Sequence, residues 1–466
     1  MYNVSTLILL LSPLHINATE VSFTDAWIKV INSNDALAAE RANIERTEHL
    51  QDASSDLYLP QLSISANYTH LDSPIEIKPS DLLESMPAGG SAAAANIAGG
   101  LGINPANLDS MFTSQLTHQD IFTSSIRAIW PIFTGGRISA ANEISKSQNE
   151  EATQMLAMKK QAKFEDLTKY YFGVVFAKQV LQTRAEVEQG LAKHLSHAKK
   201  LEKHGQIARV ERLQAEASYD KAQVERQKSQ RDLEISQLAL NKLLKLNQTV
   251  QPSTNLFTNV SLPDMESFLE KTLISYPGLK ILDAKKEQAT GVVNLEQGKY
   301  YPEVYLYGNY SLYEDDTLAA KTAPDWAVGI GVNIPLLDSS GRSGKSSAAK
   351  SSIKQIGYLR AQAEQDLSLL VEKTYREANQ ALEEYLSLAS SLALAQENVS
   401  LREKAFSQGL STSLAVVDAE MYFASVKTQR LAAAYQYVLS LSRLLALSSE
   451  MDTFNQYQQY NGIEVQ

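Results

Sequence analysis

Two stretches constrain this chain more than any other feature. Arg137 to His204 and Arg342 to Gln408 each run more than sixty residues without a proline. In the second, apolar or small residues recur at Leu367, Leu370, Val371, Thr374, Ala378, Ala381, Tyr385, Leu388, Leu392, Ala395 and Val399. Steps of three and four that average 3.5 residues are the signature of a coiled-coil seam. At ~1.5 Å of rise per residue, each stretch predicts a helix of roughly 100 Å. That is far longer than a globular domain needs, so the chain is expected to reach across a distance.

The sequence is also written twice. Tyr58–Tyr68 (YLPQLSISANY) matches Tyr300–Tyr310 (YYPEVYLYGNY), with Pro60 and Pro302 at an offset of 242, which also places Leu37 on Leu279. Trp130–Phe133 (WPIF) matches Ile334–Leu337 (IPLL) at an offset of 204, which holds again at Gly205/Gly409, Ala215/Ala419 and Glu216/Glu420. Each half reads helix, strand, loop, strand, long helix, break, returning helix. The first helices are expected as unbroken runs, Phe23 to Asp56 and Met265 to Gly298, each ended by the following proline.

The strands, near 59–72, 120–133, 302–313 and 325–337, alternate with period two. Trp326, Val328, Ile330, Val332 and Ile334 share one face against Ala327, Gly329, Gly331 and Asn333. Leu62 and Ile64 oppose Ser63 and Ser65, and Trp130 ends a face begun by Phe122, Ile126 and Ala128. Strands of ~10 residues match a tilted bilayer crossing, but alternation alone equally describes a sheet packed on its own helices. Four strands close no barrel, and open edges do not survive in lipid. A membrane reading therefore requires several chains to pool their strands.

The opening Met1–Ala18 carries a short apolar run, Leu7 to Leu14, without a preceding Lys or Arg. It suits a secretory signal cleaved near Ala18. No later run of about 18 apolar residues follows. The net charge of −10 disfavours a nucleic-acid binder. The absence of cysteine excludes disulfides, thiolate metal sites and an N-terminal lipidated cysteine. The plan is then a signal peptide at 1–18, repeat 1 at 19–246 with helices 137–204 and 208–246, and a linker at 247–263. Repeat 2 follows at 264–447 with helices 342–408 and 412–447, and a polar tail at 448–466 is expected to fray. The Gly/Ala/Ser-rich segment 72–119 reads as an exposed loop.

Each long helix ends at a glycine, Gly205 or Gly409, suited to the left-handed position that stops a helix. Ser411 or Thr412 suits the cap of the next helix. The duplicated plan, the Tyr-x-Pro strand starts, the Pro-ended second strands followed by Gly-Arg and the paired glycine turns together resemble the TolC family of outer-membrane efflux proteins, from about Ser22 to Ser448. The resemblance implies a mainly α fold with a membrane β-barrel. Three copies would share twelve strands, four per chain, and a long periplasmic α-helical barrel, with the linker in its equatorial region.

It also implies an exit duct in the outer membrane, with a large periplasmic portion, serving tripartite efflux or type I secretion. Its partners would be outer-membrane lipid, a periplasmic adaptor (membrane fusion protein) and an inner-membrane pump of the RND, ABC or MFS type. By the family's pattern the adaptor-docking tips fall on His204, Gly205, Gln206, Gln408, Gly409 and Leu410. The periplasmic constriction falls on Glu211 and Asp418. A second family acid falls on Ala415 and a basic latch residue on Ser411, so one acidic ring is absent. The lipid-facing residues would be Leu62, Ile64, Trp130, Trp326, Val328, Ile330 and Val332.

Other chemistry does not assemble. Ser339–Ser346 lacks the first glycine of a phosphate loop. His194, His197 and His204 read as solvated helix-surface histidines without a completing ligand set. No nucleophile elbow or triad spacing is present. No enzyme activity, metal or cofactor is expected. The competing readings are a structural or adhesive coiled-coil protein of the cell envelope and an intracellular coiled-coil scaffold. The first does not need four alternating strands in duplicated pairs, and the second does not need a signal segment.

Overall fold

The computed structural model describes residues 19–87, 89–103, 107–337, 339–459 and 462–465. The expected signal peptide lies outside the described residues. The chain divides into two compact units, one from residues 1–47, 148–286 and 354–466, the other from 48–147 and 287–353.

The elements follow the duplicated plan. Repeat 1 contains α1 (Phe23–Ser33), α2 (Asp35–Ser55), β1 (Gln61–His70), β2 (Asp120–Phe133), α3 (Arg137–Lys203) and α4 (Arg209–Leu244). Repeat 2 contains α5 (Met265–Ser275), α6 (Pro277–Gly298), β3 (Glu303–Glu314), β4 (Trp326–Asn333), α7 (Arg342–Ser407) and α8 (Ser413–Leu447). The expectation of one unbroken helix at the head of each repeat is corrected. Asn34 is extended, at φ −78° and ψ 123°, and its Oδ1 accepts from the Ala36 and Leu37 amides at 3.0 and 3.3 Å. In repeat 2, Tyr276 is extended, at φ −60° and ψ 123°, and Pro277 begins the next helix. Both are local signals, an Asx cap and a proline at the first helical position.

In the second unit the four strands form one antiparallel sheet in the order β1-β2-β3-β4. Ile64 lies opposite Ile126, Ile126 opposite Tyr310, and Tyr310 opposite Trp326. The next row runs Leu62, Ala128, Gly308 and Val328. Trp130 pairs with Leu306 and Leu306 with Ile330. All seven apolar residues singled out above therefore share one face, and each is exposed, Val328 by 74%. The other face carries Ser63, Arg127, Asn309 and Ala327 in one row. Among the described residues the outer edges of β1 and β4 have no strand partner.

On that second face, Gly329 and Gly331 are not free positions. A Cβ on Gly329 would lie 2.5 Å from Tyr307 Cζ, and one on Gly331 would lie 2.6 Å from Tyr305 Cε2. The two tyrosine rings lie across the glycines of the neighbouring strand, a device that stabilises glycine within sheets. A side chain at either position would have to displace a tyrosine ring. Pro131 lies inside β2 beside a register shift, whereas β4 stops before Pro335, both usual places for a residue without an amide donor. The Gly-Arg pairs that follow the strands brace these corners. Arg342 stacks 4.2 Å over the Tyr300 ring and donates to the Lys299 carbonyl at 2.8 Å. Arg137 pairs with Glu303 at 2.9 Å.

Segment 72–119 is not structureless. It forms short helices at Pro79–Glu84, Gly90–Gly100 and Leu108–Phe112 and a small ladder between Glu76–Ile77 and Ser114–Gln115.

The first unit is built on helix packing. In α7 the seam is buried at Leu367, Val371, Thr374, Ala378, Ala381, Tyr385 and Ala395. Its aromatic centre joins Phe23, Phe164, Tyr171, Phe172, Phe257 and Phe454, with the Phe23 ring 4.7 Å from Phe454 and 5.4 Å from Tyr171. The polar tail was expected to fray, but it is anchored there. Gly462–Glu464 pairs antiparallel with Phe257–Asn259, and Phe454 is 1% exposed. Burying one such side chain contributes about 1.5–3 kcal/mol, enough to overcome the fraying that composition suggests. The linker is tied in the same way, with Val250–Pro252 parallel to Thr19–Val21.

Candidate functional site

The two long helices of the first unit end in equivalent turns. Gly205 has φ +71° and Gly409 has φ +75°. In the first turn the Gln206 amide donates to the Leu201 carbonyl and the Gly205 amide to Glu202, both at 2.9 Å. In the second, Leu410 donates to Ala405 at 2.8 Å and Gly409 to Phe406 at 2.9 Å. These paired bonds define the Schellman motif. The six tip residues, His204, Gly205, Gln206, Gln408, Gly409 and Leu410, are all exposed, and Leu410 by 78%. A Cβ on either glycine meets no atom within 4 Å, so glycine is required here for its backbone angle and not for space.

The hairpins meet behind the turns. Leu195 and Ala198 of α3, Ala215 of α4, Phe406 of α7 and Val416 of α8 form one buried cluster. Polar bonds tie the repeats beside it. Thr412 caps α8, its Oγ1 accepting from the Ala415 amide at 3.3 Å. Glu211, on α4, accepts the Ser413 amide through Oε2 at 2.6 Å. One repeat thus supplies an anionic cap to the first turn of the other repeat's returning helix, where unpaired amides and the helix dipole favour negative charge. Removing this acceptor in Glu211→Ala is expected to cost about 1 kcal/mol locally. Amide exchange over residues 413–416 should then speed up roughly fivefold. Unchanged exchange would mean that Thr412 alone carries the cap.

Asp418, in contrast, is exposed and makes no hydrogen bond or ion pair with any described residue. The two carboxylates expected to flank one constriction therefore differ in environment. Glu211 is half-buried and bonded to a backbone amide, while Asp418 is unpaired.

Two further residues matter here. His194 was expected to be solvated but is only 2% exposed. Its ring packs 4.4 Å from Phe406, and Nε2 shares a hydrogen bond of 2.7 Å with Ser413 Oγ. Burial, and then the nearby charge of His197, push its pKa down to about 4 against the opposing pull of Glu211. Glu420 is 5% exposed and faces Gly190 of α3. Its sequence signal is a charge within the apolar stripe of α8, between buried Val416 and Ala424. Nothing local marks the burial of His194, because Ser413 lies 219 positions away. Lys427 pairs with Glu186 at 2.6 Å and Arg212 with Glu202 at 2.8 Å. Such partly exposed bridges orient helices more than they stabilise them.

The profile of a family described as outer membrane efflux protein matches residues 29–244 and 268–449. Among solved structures, the chain is similar to CusC, whose crystal structures concern folding and transmembrane channel formation. The TM-score is 0.72 at 15% identity, over 91% of this chain and 92% of that one. It is similar to the outer membrane protein VceC of Vibrio cholerae, with TM-score 0.69 at 14% identity, over 91% and 96% of the two chains. It is also similar to the CmeC outer membrane channel of Campylobacter jejuni, with TM-score 0.69 at 13% identity, over 92% and 86%. No curated protein sequence matches the chain.

Proposed function

This chain belongs to the outer membrane efflux protein family, and from that premise we infer that three copies of it make one exit duct through the outer membrane. The protein is a conduit and not an enzyme. The observation that carries the trimer is the four-stranded sheet, with its exposed apolar face and two unpaired edges among the described residues. Unpaired edges in lipid cost several kcal/mol per group, and pooling strands from three chains removes them. The face with Leu62, Ile64, Trp130, Trp326, Val328, Ile330 and Val332 then meets lipid. The duct works with a periplasmic adaptor and an inner-membrane pump of the RND, ABC or MFS class, in efflux or type I secretion. The turns at Gly205 and Gly409 are its docking tips.

The test is migration of detergent-extracted protein as a heat-resistant trimer, together with ion conductance in a planar bilayer. A monomer without conductance would favour the structural or adhesive reading.

Asp418 lies nine residues past Gly409, so ~13 Å along the returning helix. Three unpaired carboxylates around one axis attract cations and repel anions. Since Glu211 is bonded to the start of α8, selectivity rests on Asp418. The wild-type duct is expected to prefer cations, with divalent cations blocking it from the periplasmic side at low salt and less as salt rises. The reversal potential in a salt gradient should fall toward zero in Asp418→Ala. An unchanged potential would remove Asp418 from the constriction.

A further inference from the structure

The seam between α3 and α8 holds a carboxyl group packed into a glycine notch. Gly190 sits inside the 67-residue helix α3, where glycine is a poor helix former. The space left by its missing side chain is filled by the Glu420 carboxyl. An added Cβ there would overlap Oε1, and would lie 3.0 Å from Cδ and 3.3 Å from Oε2. Glu420 is 5% exposed, yet it makes no hydrogen bond or ion pair with any described residue. One heptad further along α8, Lys427 bridges to Glu186 of α3 at 2.6 Å, so the same seam holds a cation-paired carboxylate beside one that has no cation partner among the described residues. A buried, unpaired carboxylate is costly when ionised and much less so as the neutral acid.

The charged groups around it do not remove that cost. Lys193, on α3, favours the ionised form, and Glu403, on α7, opposes it. On the α4 side, Lys221 and Glu225, together with Arg184 of α3, line a crevice with Val417 and Met421, which flank Glu420 on α8.

We propose that Glu420 and Gly190 form a proton-operated latch, in which the neutral acid seats α8 against α3 and ionisation releases it. The location, eleven residues past Gly409, puts the latch beside the tip. Its role in opening the duct rests on the reading of the tips as the periplasmic end of that duct. Burial first, and then the charge of Glu403, raise the Glu420 pKa from 4.5 to about 7. The seated form therefore binds the proton more tightly than the released form. Seating is fully favoured below about pH 4.5 and is lost as pH rises through about 7. A gap of this size shifts the seated-to-released ratio on the order of a hundred-fold. His194 titrates below this window, at about 4.

The experiment is amide hydrogen exchange over residues 413–427 of the detergent-held full chain between pH 5 and pH 8.5, corrected for intrinsic exchange. Wild type, Glu420→Gln and Gly190→Ala are compared. Wild-type protection should fall up to about a hundred-fold across the window. Glu420→Gln, a permanently neutral isostere, should keep its protection. Gly190→Ala, with the notch filled, should be weakly protected at every pH, and if it does not fold the Glu420→Gln comparison stands alone. Parallel profiles in wild type and Glu420→Gln overturn the latch. Exchange needs no transport, so this result is separate from the conductance test of the duct.

Discussion

Proline at Gly205 or Gly409 is expected to abolish export while the protein still inserts in the membrane. Both glycines hold φ above +70°, and proline is locked near −65°. Proline also removes the amide that closes each turn, Gly205 to Glu202 and Gly409 to Phe406. The turn must then open, and the exposed His204–Gln206 or Gln408–Leu410 surface loses its shape. Alanine is the informative control. Open space surrounds both positions, so Gly→Ala costs only the ~1–2 kcal/mol of a left-handed residue and should export at a reduced rate. The measurement is drug or substrate sensitivity of a strain that depends on this duct, with trimer recovery from the envelope as the insertion control. Normal export by both proline variants would remove the turns from docking.

Lysine at Val328 is expected to prevent assembly, whereas lysine at Ala327, on the adjacent, opposite-facing position, is not. Val328 is 74% exposed on the apolar face and lies opposite Gly308, whereas Ala327 lies opposite Asn309 on the polar face. A lysine facing lipid near the midplane costs ~2–4 kcal/mol, a cost that the proposed trimer would bear three times. Gly329→Lys is a poor control, because Tyr307 covers that glycine and a clash would mimic a lipid penalty. The readout is the yield of heat-resistant trimer from each variant. Equal yields would reverse the assignment of faces.

The parts of this protein that are legible in its sequence are those written in local periodicity. The alternation of Trp326 to Val332, the 3.5-residue seam of α7 and the glycine stops depend on neighbours within a turn or two, and the duplicated order of elements shows as two constant offsets. The breaks at Asn34 and Pro277 are equally local, and reading through them underweights capping chemistry. Polar composition, by contrast, misleads about the tail, because Phe454 is one residue among many polar ones and its partners, Phe23 and Phe164, are remote.

The sequence by itself determines a duplicated chain of long helices and short alternating strands, with the apolar strand face and both glycine turns assigned to numbered residues. Only the tertiary structure decides what happens where the repeats meet. Glu211 caps a helix that begins 202 positions later, His194 turns inward onto Phe406 and Ser413, and Glu420 fills the space left by Gly190. Each depends on which faces of distant helices come together. Periodicity shows that a face is buried but not which residue it meets, and for a charged side chain the partner decides whether burial is stable.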